Sequence, residues 1–136
     1  MVCINYIVLQ TLAVDLMKVR RMFLLDSVGA LVSAVILGLV LPYWSVELGV
    51  PQAVLYVFAS VAVVFAIYSM LCFVFAKGAV FLRAIAIANI LYCVLTAMYI
   101  LFAYENVTWL GYVYFLSEIV VIASIANWEL KVANQQ

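Results

Sequence analysis

Residues 17–44 read MKVRRMFLLDSVGALVSAVILGLVLPYW: Lys18, Arg20 and Arg21 come first, then a run that is apolar except for Asp26 and two serines, then Tyr43 and Trp44. A helix needs ~20 apolar residues to cross a bilayer core of ~30 Å. Cations before the run and aromatic rings after it suit a span with a basic loop at one end and an interfacial belt at the other. Similar runs recur along the chain, so spans are predicted at about 23–43, 51–75, 82–104 and 109–128.

Composition agrees with this reading. The chain has 136 residues, of which 72% are hydrophobic and 9% charged, whereas soluble proteins use ~25% charged residues to cover a surface facing water. Net charge is zero and there is no basic tract, which argues against a nucleic-acid partner and leaves membrane lipids as the first expected one. In lipid the backbone must satisfy its own hydrogen bonds, and the segments lack the ~10-residue alternation of barrel strands. The fold class expected is all-α, an integral membrane four-helix up-and-down bundle over residues 18–136. Pro51 suits the start of the second helix and Lys77-Gly78 its end.

The six basic residues set the orientation. Lys18, Arg20 and Arg21 precede the first span, Lys77 and Arg83 bracket the second loop, and Lys131 follows the fourth span. All fall on one side, which the positive-inside rule makes cytoplasmic, with both termini there. The opposite loops carry Glu47 and Glu105, flanked by Tyr43, Trp44, Tyr104 and Trp109; Trp128 anchors the inner edge. Residues 1–17 are apolar but interrupted by Asn5, Gln10 and Asp15, and a helix of ~22 Å falls short of the core. Three readings stay open for that segment: an interfacial helix, an extra partial helix, or a stretch upstream of a start at Met17 or Met22. It lacks the order of a signal peptide.

Helices in lipid associate through small residues and interhelical hydrogen bonds. Ala59, Ala62, Ala66 and Ser69 form one such stripe on the second span, and Gly29, Ala30 and Ser33 lie beside Asp26 on the first. The third span presents Asn89, Tyr92, Thr96 and Tyr99 within one narrow arc. Glu118 stands near the middle of the fourth span, with Gly111 and Tyr114 on its face. The expected arrangement is a polar seam between the third and fourth spans, with an uncharged Glu118 hydrogen-bonded to Asn89 or Tyr92. Asp26 and Arg83, both near the cytoplasmic edge, form a second candidate pair, with Arg20 or Arg21 as other partners for Asp26 and simple snorkelling as the plain alternative. Glu129 and Lys131 read as boundary charges.

Catalysis is not expected. The chain has no His, no Cys-x-x-Cys and no Gly-rich phosphate loop, so neither a metal site nor a cofactor is foreseen. Cys3, Cys72 and Cys93 read as packing residues. The sequon at Asn106 lies nearly at the membrane surface. In architecture and composition the chain resembles short four-span bacterial inner-membrane proteins with a basic amino-terminal flank, which implies a multi-pass protein of the cytoplasmic membrane and imports no activity. The leading expectation is a noncatalytic accessory or scaffold element that self-associates or joins a larger complex. The alternative is a small transporter or lipophilic-ligand binder using Glu118 and the aromatic seam. Small four-helix multidrug transporters also use a membrane-embedded Glu, but in their first helix, where this chain has Asp26, and their motif is not present.

Overall fold

The computed structural model describes residues 2–75 and 78–135, with side chains in the first helix from residue 7 onward. The expected helix stop at Lys77 and the packing of Cys3 lie outside the described residues. Helix α1 spans Val2–Val35 without a break, so from Val2 onward the segment before Lys18 is the same helix as the first span.

Past Val35 the helix widens into a π turn at Ile36–Val40 and then tightens to 3-10 geometry at Leu41–Trp44. Pro42 accounts for this change: it has no N–H to donate, and in a regular helix its ring would collide with the carbonyl of Gly38. A short turn, α2 (Ser45–Leu48), ends at Gly49, whose φ of 68° is left-handed and suits glycine. Helix α3 covers Gln52–Phe75. Pro51 stands just ahead of it, its carbonyl accepting from the amides of Val54 and Leu55 at 3.0 and 3.3 Å. Helices α4 (Ala79–Phe102) and α5 (Trp109–Asn134) follow, and no strand occurs among the described residues. By length and composition, four helices among the described residues can cross a membrane: α1 with its continuation, α3, α4 and α5.

The closest partners are α1 with α3 and α4 with α5, so the bundle is two antiparallel hairpins laid against each other. The small residues of α3 make the first hairpin tight. Ala59, Ala62, Ala66 and Ser69 are all buried, and a Cβ on Gly38 would stand 3.3 Å from that of Ala59. Two apolar cores fill the space between hairpins, one around Phe58 and Phe115 and one around Phe23 and Leu82. Large apolar side chains cover the outward faces, as lipid-facing helices require.

At the end away from the basic residues the loops are stitched together. The Thr108 amide donates to the Leu48 carbonyl at 3.0 Å, and its hydroxyl donates to the Glu47 carbonyl. The same hydroxyl accepts from the Gly111 amide at 3.5 Å and so caps α5. Thr108, the third residue of the sequon, thus serves as a helix cap and a loop tie.

Candidate functional site

Three carboxyl side chains lie buried in the bundle: Asp26 on α1, and Glu118 and Glu129 on α5, with exposures of 5%, 8% and 0%. Around Asp26 the periodicity of the helices brings donors from two neighbours. Ser69, the last small residue of the α3 stripe, donates to Oδ2. Asn89, the first residue of the α4 arc, donates to Oδ1 at 2.7 Å. The same amide nitrogen is 3.4 Å from Glu129 Oε2. An Asn side chain has two N–H donors, so Asn89 joins two carboxyls that belong to different hairpins. The first and third spans meet here. Beside them the Ser27 hydroxyl donates to the Ala66 carbonyl at 3.1 Å, one turn along α3.

Glu118 belongs to a second group. The Tyr92 hydroxyl donates to its Oε1 at 3.4 Å, so of the two partners expected for it, the structure provides Tyr92 and takes Asn89 elsewhere. Thr96 is buried but donates to the Tyr92 carbonyl of its own helix at 2.9 Å. Tyr99 and Tyr114 contribute rings. Phe58 lies edge-on to Tyr92 and Tyr99 at centroid distances of 5.7 and 5.8 Å, and Tyr114 packs edge-on to Phe115 at 5.3 Å. The aromatic seam is thus a closed cluster of edge-to-face pairs, a stable packing arrangement in itself.

The cytoplasmic-edge pair expected between Asp26 and Arg83 does not form. The Arg83 guanidinium donates to the Ala133 carbonyl at 3.2 Å, at the end of α5. Arg20 donates to the Phe73 carbonyl at 3.3 Å and stacks over the Phe73 ring at 4.9 Å. Both arginines do what long cationic side chains do near a helix end: they satisfy terminal carbonyls and lie along apolar surface.

Glu129 is the residue that the sequence reading assigned wrongly. It is not a boundary charge, because α5 continues past it to Asn134 and buries it completely. Its spacing from Glu118 holds the clue: eleven residues is about three helical turns, which returns to the same face. Among the described residues no cation pairs with any of the three carboxyls, and Glu118 Oε2 and Glu129 Oε1 have no hydrogen-bond partner. An anion left so in hydrocarbon costs several kcal/mol, of order ~2.5–3.5 on insertion scales. A proton or a cation on Glu118 or Glu129 would offset that cost.

A cavity of about 60 Å³ lies between α1, α3, α4 and α5, walled by Asp26, Ser33, Phe65, Asn89, Tyr92 and Ile122 among others. One water needs ~10–15 Å³ by the same measure, so a few waters or a small hydrated cation fit. Drug-sized ligands need ~300 Å³ or more. No group of three metal-ligating side chains occurs among the described residues. No family model matches the sequence, and neither a curated protein nor a solved structure is significantly similar to it.

Proposed function

We propose that the chain is a noncatalytic multi-pass protein of a cytoplasmic membrane, with both termini cytoplasmic, whose core takes up and releases a proton or a small cation. Asp26 and Glu129 hold it, with Asn89 bridging them. The observation that carries this reading is the Asn89 bridge: one neutral amide links two buried carboxyls, leaving Glu129 Oε1 without a partner. Two carboxyls so close together repel as anions and favour sharing a positive charge. The cavity that reaches Asp26 and Asn89 is large enough for water but not for an aromatic substrate, so a small ion suits the site better than a lipophilic compound does.

The test is ion flux in vesicles containing the purified protein, with a trapped pH dye, under an imposed potential, with and without sodium. Wild-type protein is expected to pass protons, or to exchange them for sodium. Asp26→Asn combined with Glu129→Gln is expected to reduce the flux to that of empty vesicles, while Tyr92→Phe leaves it standing. Flux that survives the double substitution would remove these residues from the mechanism.

A second reading, an accessory or scaffold element, rests on a different feature. From residue 7 to 17 no side chain of α1 is buried, and Ile7, Leu9, Leu12 and Met17 are all more than half exposed. This apolar stretch lies beyond the basic layer of Lys18 to Arg21, where the bundle offers it nothing to pack on. A partner subunit or a second copy would cover it. Deleting residues 2–16 should then change the subunit stoichiometry seen by native mass spectrometry and leave the bundle's unfolding midpoint in place; an unchanged stoichiometry ends this reading.

A further inference from the structure

Between α1 and α5, at the basic end of the bundle, a groove of about 610 Å³ is lined from both sides at one helical spacing. Helix α1 contributes Lys18, Arg21, Met22 and Leu25, and α5 contributes Trp128, Lys131, Val132 and Gln135. Positions i, i+3, i+4 and i+7 share one face of a helix, so two complete faces look at each other without closing. The helices run antiparallel, which sorts the lining by depth. Lys18, Arg21, Lys131 and Gln135 lie toward the basic end of the bundle, and Leu25 and Trp128 lie toward its interior.

We infer that this groove binds the headgroup of an anionic phospholipid. Three cations line it, and Lys18 has a loose partner in Asp15 at 3.9 Å within the same helix. Arg21 and Lys131 have no anionic partner among the described residues. A phosphodiester placed among them would pair with Arg21 and Lys131, and its acyl chains would continue along Met22, Leu25 and the Trp128 ring, which is 57% exposed. Basic pockets between transmembrane helices bind acidic headgroups in this way, and the groove has the volume of a small-molecule site. This site is separate from the buried carboxyls and does not depend on their role.

Native mass spectrometry of the full chain in detergent tests it, with dioleoyl phosphatidylglycerol, dioleoyl phosphatidylcholine or inorganic phosphate added in turn. One phosphatidylglycerol is expected to be retained at concentrations where phosphatidylcholine is not. Removing two cations with Arg21→Gln and Lys131→Gln should weaken retention roughly 30-fold. Arg20→Gln removes a cation from the Phe73 side of α1 and should change nothing. Equal retention of the two lipids by the wild type overturns the inference, and does so even if the double variant extracts poorly. Undiminished binding in that variant, or displacement of the lipid by inorganic phosphate at matched concentration, overturns it as well.

Discussion

Asn89 has two amide hydrogens and gives them to carboxyls on two different helices, Asp26 at 2.7 Å and Glu129 at 3.4 Å. Its side chain is neutral, so it can hold two acidic groups together without itself adding charge to the membrane interior. Replacing it with Leu keeps the volume and removes both donors at once. Asp26 would still accept from Ser69, but Glu129 would lose the one partner it has. Buried acceptors stripped of a donor cost ~1–3 kcal/mol, so Asn89→Leu should lower the free energy of unfolding, measured by denaturant titration in detergent, by that order. Tyr92→Phe removes a single hydrogen bond, that to Glu118 at 3.4 Å. Interhelical bonds of this kind in membranes average only ~0.6 kcal/mol, so its effect should be smaller. Equal losses in the two variants would mean that the Asn89 bridge is no stronger than an ordinary contact.

At the scale of the elements, the outer loops are joined where backbones come closest. A Cβ on Gly111 would stand 2.5 Å from the Leu48 carbonyl oxygen and 2.8 Å from a methyl of Val107. One on Gly49 would stand 1.8 Å from the Asn106 carbonyl oxygen, at a backbone φ of +68°. Among the described residues nothing stands within 4 Å of the Cβ position of Gly78. Alanine at Gly111 should therefore cost ~1–3 kcal/mol through overpacking, alanine at Gly49 more because strain adds to the clash, and alanine at Gly78 almost nothing. Thermal unfolding of the three variants in one detergent gives the order, and a destabilised Gly78→Ala would contradict it. The elements themselves could be read from period and length: the alanine stripe of α3 and, in the polar arc of α4, Asn89, Tyr92 and Thr96 are buried as their spacing implies. What could not be read is pairing between helices. Hydropathy alone does not say which face of α1 meets α4, so Asp26 was matched with arginines at its own depth rather than with Asn89. Glu129 is hidden for a related reason: the apolar run fades near Asn127, but Val132 and Ala133 join the core around Phe23 and Leu82, and α5 runs on to Asn134.

Across the whole molecule, chemistry is sorted by end. Arg20 reaches the Phe73 carbonyl, Arg83 reaches the Ala133 carbonyl, and Lys18, Arg21 and Lys131 share one groove, so these five cations lie at the same end of the bundle. Glu47 and Glu105 lie at the other, in the loops that Thr108 ties together. Between the ends, a polar layer around Asn89 and an aromatic layer around Phe58 join the two hairpins. The positive-inside rule predicts from this asymmetry that the cationic end faces the cytoplasm. In a cysteine-free background, a single cysteine at Glu47 should react with a membrane-impermeant maleimide added to intact cells, and one at Lys131 only after the membrane is opened. Both positions are exposed, so labelling reads sidedness rather than access through the protein. The reverse pattern would put the acidic end inside and would leave the charge distribution without the role assigned to it, whereas mixed labelling of both positions would mean that the chain inserts in two orientations.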